Sequence, residues 1–341
     1  MKRTALLVFL SALLTGIAFA EDLLINAAGA SFPNPIYQKW FSEYQKKTGV
    51  RINYQSVGSG AGIGQITEGT VDFGASDGPM NAEQTKKFQD KRGFGVLHFP
   101  TVMGAVVVTY NLPGISQALN FTPAAISGIY LGKITKWNDP EIAKANPGVK
   151  IPANDIVVVH RSDGSGTTYV FTDYLSKVNP DWKSKVGSAT SVTWPIGLGA
   201  AKNDGVAGLV KQTANSIGYV ELIYATQNKM AYGNVKNKAG AFVTASSASV
   251  SAAAAASAKT MPEDFKVSIV DAEGKSSYPI STFTWLLIPE KIADKGKKTA
   301  IVNFIKWMLD KDAQALAESL DYASLPKPVV AKELKAIAKV Q

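Results

Sequence analysis

Runs of consecutive apolar residues alternate along this chain with segments whose apolar residues recur at helical spacing. That alternation confines it to an α/β fold whose sheets are covered on both faces. Residues 23–27, 51–56, 97–110, 155–161, 267–270 and 282–288 read as strands. Between them Tyr37, Trp40, Phe41 and Tyr44 recur at i, i+3, i+4 and i+7, as do Phe171, Tyr174, Leu175 and Val178, and again Ile301, Phe304, Ile305 and Met308. Such aromatic stripes fit a core face better than a ligand platform. Asn81, with Gln84 three residues on, forms a capping box for a helix near 81–90 that Gly93 stops. The Ala/Ser-biased segment 246–258 reads as a small-residue helix, because no Gly or Pro interrupts it. The 341 residues suffice for about two domains, and no repeat or long linker divides them. Two lobes would therefore have to exchange strands through short hinges.

The first twenty residues read as an address. Lys2 and Arg3 make a positive start, residues 5–14 are apolar, and Ala18-Phe19-Ala20 supplies a small-x-small cleavage site. Glu21-Asp22 ends the stretch short of the roughly 20 apolar residues that a membrane-spanning helix needs. The expectation is export with cleavage after Ala20.

Cysteine is absent, which removes disulfides, thiolate catalysis, iron–sulfur clusters and cysteine-based zinc sites. His98 and His160 are the only imidazoles, too few for a histidine cluster. Without the leader, 34 basic side chains face 27 acidic ones, a formal charge of +7. No dense arginine run or basic-aromatic stripe accompanies that charge, so nucleic acid is not the expected partner. Attraction of a small anion and an ordinary lysine-rich surface both fit it.

Three turns rich in glycine and hydroxyl residues each precede a helix. The first is Ala28-Gly29-Ala30-Ser31-Phe32-Pro33, where Ser31 is placed to cap the helix that Pro33 and Pro35 help to start. The second is Gly58-Ser59-Gly60-Ala61-Gly62, entering a short helix toward Glu68. The third runs from Arg161 through Ser162, Asp163, Gly164, Ser165, Gly166, Thr167 and Thr168 into the Phe171 helix. A helix start presents unpaired N–H groups and partial positive charge, and glycine lets an oxyanion come close to the backbone. One such turn is ordinary in an α/β protein. Three, with an arginine beside one, fit a tetrahedral oxyanion that needs many donors at once.

Nucleotide loops do not account for them. Gly274-Lys275-Ser276 has Ile269 where GxxxxGK[ST] requires glycine, and Ile63 and Gln65 stand where GxGxxG would place its last glycine. Gly74-Ala75-Ser76-Asp77-Gly78 does match the GxSxG elbow of serine hydrolases, with His160 as the available base. That elbow needs an immediate helix, whereas Gly78-Pro79 intervenes and the helix waits for Asn81.

Taken together, Ala28 to Pro33, Gly58-Ser59-Gly60, Val71 to Asp77, Arg161 to Thr167, Ser216-Ile217-Gly218-Tyr219-Val220 and Asp321-Tyr322-Ala323-Ser324-Leu325-Pro326 resemble the periplasmic phosphate-binding proteins of Pst-type ABC transporters. The likeness runs in order over nearly the whole mature chain. It implies a type II periplasmic-binding-protein fold, in which two α/β lobes close on inorganic phosphate and pass it to membrane permease subunits. It also implies no catalysis, cofactor or metal, and a monomer. Residues 21–100 with 280–341 would form lobe 1 and 101–279 lobe 2. The resemblance carries phosphate contacts onto Ser31, Phe32 (through its N–H), Ser59 and Asp77, and from the opposite lobe onto Arg161, Ser165, Gly166 and Thr167. The first hydroxyl, often threonine in this family, is serine here, which keeps the donor oxygen.

Chemistry gives these residues roles. Arg161 offers a rigid fork of charged donors. Asp163 either holds that guanidinium or merely caps a turn. Asp77 would repel an anion unless the ligand brings a proton: phosphate near neutral pH keeps one or two P–OH protons, and sulfate keeps none. An ionised Asp77 would then select phosphate by repelling sulfate, whereas from chemistry alone a turn cap before Pro79 fits equally well. The alternatives are a receptor for sulfate or molybdate, which lack the proton, and a secreted phosphatase or serine hydrolase.

Overall fold

The computed structural model describes residues 23–115 and 117–341, so the leader and its cleavage site lie outside the described residues. The chain opens with β1 (Leu24–Gly29), α1 (Asn34–Thr48), β2 (Arg51–Ser56), α2 (Ser59–Glu68), β3 (Phe73–Ser76), α3 (Ala82–Arg92) and the long β4 (Val96–Asn111). After β5 (Asn120–Phe121) come α4 (Pro123–Tyr130), α5 (Pro140–Ala145), β6 (Val157–Arg161), α6 (Gly166–Val178) and α7 (Pro180–Lys185). Next are β7 (Leu198–Ala200), α8 (Lys202–Gln212), β8 (Ser216–Glu221), α9 (Leu222–Gln227), β9 (Ala231–Tyr232), β10 (Asn234–Lys236), β11 (Phe242–Val243) and α10 (Ser247–Lys259). The chain closes with β12 (Ser281–Pro289), α11 (Lys295–Met308), α12 (Lys311–Glu318), α13 (Lys327–Ala336) and a short 3₁₀ turn.

The main sheet runs β2-β1-β3-β12-β4-β8-β6-β7, with β9 also on β4, and β11-β10-β5 form a small second sheet. β4 carries the continuity between the two α/β lobes. It pairs antiparallel with β12 over residues 96–105 and then with β8 over 106–111. Nearly all of β4 and all of β12 are buried, as the apolar runs within them required, and β8, which those runs did not mark, is buried as well. Pro100 lacks the N–H that a central strand uses, and the register shifts opposite it, between Thr284 and Trp285. Such a bulge redirects side chains locally.

The helical stripes lie in the core. Tyr37, Trp40, Phe41 and Tyr44 are buried on α1, Ile301, Phe304, Ile305 and Met308 on α11, and Phe171 on α6 stacks on Tyr219 at 4.3 Å. Asn81 makes its capping box with Gln84, Gly93 closes α3 in the left-handed region, and Ser246 caps the Ala/Ser helix. Two expectations fail. Residues 267–270 form no strand, because the left-handed conformations of Phe265 and Asp271 turn the chain on either side; Ile269 and Val270 bury in an irregular segment. Ser31 does not cap α1. Pro33 takes the cap position without a side-chain bond, and the Ser31 hydroxyl is engaged elsewhere.

Candidate functional site

The three glycine-hydroxyl turns converge where the two halves of the sheet meet. Ser31 and Phe32 follow β1, Ser59 opens α2, Asp77 follows β3, and Arg161, Ser165, Gly166 and Thr167 lie between the end of β6 and the start of α6. All eight are buried, none more than 3% exposed among those with side chains. Backbone touches backbone across the cleft: Gly60 N donates to Gly164 O at 2.9 Å. A Cβ at Gly166 would lie 2.4 Å from Asp77 Oδ2 and 2.5 Å from Ser59 Oγ, so only glycine fits there.

The hydroxyls share one chemical state. Ser59 Oγ accepts from Gly166 N at 3.0 Å and from Asp77 N at 3.3 Å, and Ser165 Oγ caps α6 by accepting from Thr168 N at 3.0 Å. Ser31 Oγ accepts from Asn203 Nδ2 at 3.0 Å, and Thr167 Oγ1 accepts from the same nitrogen at 3.2 Å. A hydroxyl whose lone pairs take protein donors keeps its own proton to give away. The site is therefore rich in donors.

Arg161 is clamped by Asp163. Nε donates to Oδ1 at 2.7 Å and Nη2 to Oδ2 at 2.6 Å, a two-pronged pair, while Lys202 N donates to Oδ1 at 3.0 Å. Partial burial works against ionisation of Asp163, but the Arg161 guanidinium outweighs it and holds the carboxyl below its usual range. The holding role left open for Asp163 in the sequence is the one the structure gives it.

Asp77 is the exception among these donors. It does not cap the turn before Pro79, since Ser76 Oγ makes both turn contacts, donating to Gly78 O at 2.5 Å and accepting from Gly78 N at 3.2 Å. Asp77 Oδ1 accepts from Thr284 Oγ1 at 2.9 Å, beside the β12 bulge. Burial pushes its carboxyl up to about 7, against the lowering effects of the Thr284 hydroxyl, the Arg161 charge and Ser59. A carboxyl poised near neutrality can accept a proton from an acidic ligand oxygen, or share one with it.

Both histidines have other partners. His98 Nε2 accepts from Met80 N at 3.1 Å, and burial, with Lys266 nearby, pushes its ring down to about 3. His160 stacks on Trp194 at 4.8 Å, its Nδ1 on Arg161 O. Ser76 thus has its hydroxyl in a backbone turn rather than against a base.

Sequence reasoning missed three supports. Asn203 joins Ser31 to Thr167, Thr284 holds Asp77, and Tyr219 takes the Arg161 amide at 3.1 Å through its hydroxyl, which also meets Thr168 Oγ1 at 2.6 Å. Thr284 stood within an expected strand and Tyr219 within a quoted motif; Asn203 followed no signal.

Two α/β lobes joined through β4 around a buried polar cleft make the fold of the periplasmic binding proteins, and the PBP superfamily domain matches residues 18–312. The chain is 46% identical over 310 residues to the phosphate-binding protein PstS of Pasteurella multocida, covering 90% of this chain and 88% of that one. It is 44% identical over 317 residues to PstS of Xylella fastidiosa strain Temecula1, covering 93% and 85%. The chain belongs to this PstS family of the PBP superfamily. In fold it is similar to a high-affinity periplasmic phosphate-binding protein solved with phosphate bound, at a TM-score of 0.73 and 23% identity, covering 91% of this chain and 93% of that one.

Proposed function

We propose that this protein captures inorganic phosphate by closing its lobes and delivers it to the permease subunits of an ABC importer. The observation that carries the reading is a buried acceptor set among donors: Asp77 beside the proton-giving hydroxyls of Ser31, Ser59, Ser165 and Thr167. The amides of Phe32, Gly166 and Thr167 and the Arg161 fork complete the shell. Dipoles and hydrogen bonds then meet most of the anion's charge, with Arg161 partly neutralised by Asp163.

Residues 21–100 with 280–341 form lobe 1 and 101–279 lobe 2 in this reading, and the change of partner along β4 supports a hinge near that boundary. Ligand groups on both lobes favour closure only when the anion bridges them. The protein acts as a monomer in the periplasm after cleavage behind Ala20, without catalysis, cofactor or metal. The positions of His98, His160 and Ser76 support binding over turnover.

Calorimetry with phosphate, sulfate and molybdate, beside a chromogenic phosphoester assay, tests this. Phosphate should bind and the ester stay intact. Turnover, or preference for a proton-free oxyanion, would contradict the reading.

A further inference from the structure

The N-terminal end of α8 reaches into the cleft through one fully buried side chain, Asn203. Its carboxamide has one permitted orientation. Oδ1 accepts from Glu221 N at 3.0 Å, and a backbone amide can only donate. Nδ2 therefore directs its protons to Ser31 Oγ at 3.0 Å and Thr167 Oγ1 at 3.2 Å, hydroxyls from opposite sides of the cleft. Asn203 N is a second donor to Ser31 Oγ at 3.3 Å, and Arg161 Nη1 a second donor to Thr167 Oγ1 at 3.4 Å. With two donors arriving at each oxygen, its single proton must leave in another direction. Lys202, just before, holds a left-handed φ of 62° that few non-glycine residues adopt, and its amide serves Asp163 while the next serves Ser31. Backbone held in this way beside a site points to a functional constraint.

We propose that Asn203 is a positioning residue for the anion site: by donating to both hydroxyls it compels Ser31 and Thr167 to act as donors toward the ligand, and it ties the two sides of the cleft together when they close. Its anchor, Glu221 N, ends β8 opposite Val106, where β4 has just changed its partner from β12 to β8, so one side chain joins the end of β8 to hydroxyls on both sides of the cleft. The inference rests on the reading of the cleft as a phosphate site.

Asn203→Ala removes the side-chain donors. Calorimetry should give roughly a 30-fold loss of phosphate affinity in the otherwise unaltered protein, and at least about fivefold less than that when Ser31→Ala is already present, because one of the hydroxyls it positions is gone. Equal losses in the two backgrounds would overturn the proposal. Asn203→Asp keeps the shape and the acceptor for Glu221 N, and replaces the donor nitrogen with oxygen. Its phosphate affinity relative to the unaltered protein should rise as pH falls from about 7 to about 5, because full burial at this position lifts the new carboxyl from its ordinary value of about 4 into that range and it gains a proton to donate. A pH-independent ratio would equally overturn the proposal. Failure of the unaltered protein to bind phosphate would instead sink the reading of the site, and this inference with it.

Discussion

The amide of Gly166 donates to the Ser59 hydroxyl at 3.0 Å across the cleft, and no side chain fits where they meet. Gly60 and Gly164 face each other in the same way, with a Cβ on either landing 3.0 Å from the other's Cα. Closure is thus an approach of backbone to backbone, for which glycine is a steric requirement.

Gly166→Ala should hold the lobes apart. Its methyl would strike Asp77 and Ser59 only in the closed form, so phosphate affinity should fall by about tenfold to hundredfold. The ligand-free protein should melt almost unchanged while the upward shift of Tm with added phosphate shrinks. An undiminished shift would show that closure does not need this contact.

Arg161→Ala should weaken phosphate binding by roughly 2–5 kcal/mol, the range for truncating one partner of a buried charge pair. Arg161→Lys keeps the charge but loses the two-pronged contact with Asp163, and should fall nearer to alanine than to arginine. A calorimetric loss below about tenfold for Arg161→Ala would put the arginine outside the site.

The closed ligand-free cleft should respond to pH through Asp77. Burial raises this carboxyl from 3.8 to about 7, so the closed form holds a proton that a solvated carboxyl gives up. The contribution to closure is fully present below the ordinary value and is lost as pH rises through the raised one. Small-angle scattering of the ligand-free protein should therefore show more open molecules at pH 8 than near pH 5. Asp77→Asn should flatten that dependence, and an identical profile would contradict it.

Glu333 offers a test of stability away from the cleft. It is fully buried on α13, neither carboxylate oxygen has a hydrogen-bond partner, and burial alone drives its carboxyl well above the usual range. Its raised folded value means that stability is retained at acid pH and lost as pH rises through that value. Glu333→Leu should stabilise the protein by about 1–3 kcal/mol at neutral pH, with a smaller gain near pH 4. Denaturant unfolding at the two pH values measures this, and a loss of stability at neutral pH would mean that the carboxyl has a role here.

Much of this arrangement was legible along the chain because its signals are local. Asn81 and Gln84 lie three residues apart, each glycine-hydroxyl turn is contiguous, and the stripe around Trp40 repeats within one helix. Asp163 sits two residues from Arg161, yet its role had to be seen, because a turn cap and a guanidinium clamp share one local sequence. Asn203 and Thr284 were not legible at all. They reach Ser31 and Asp77 over separations of 172 and 207 residues, which depend on strand order and on a bulge beside Pro100. The reading of 267–270 as a strand failed because the β-branched run carried no sign of the left-handed turns at its ends. Ser31 looked like a cap and proved to be held by α8, so a local preference yielded to a tertiary contact.

The most direct test compares phosphate and sulfate by calorimetry at neutral pH in the unaltered protein and in Asp77→Asn. The unaltered protein should prefer phosphate, the more so as pH rises through the Asp77 value of about 7 and the carboxyl becomes a pure acceptor, and Asp77→Asn should narrow that gap because the acceptor becomes an amide that also donates. Equal affinity for the two anions in the unaltered protein, or a ratio that Asp77→Asn leaves unchanged, would contradict the account.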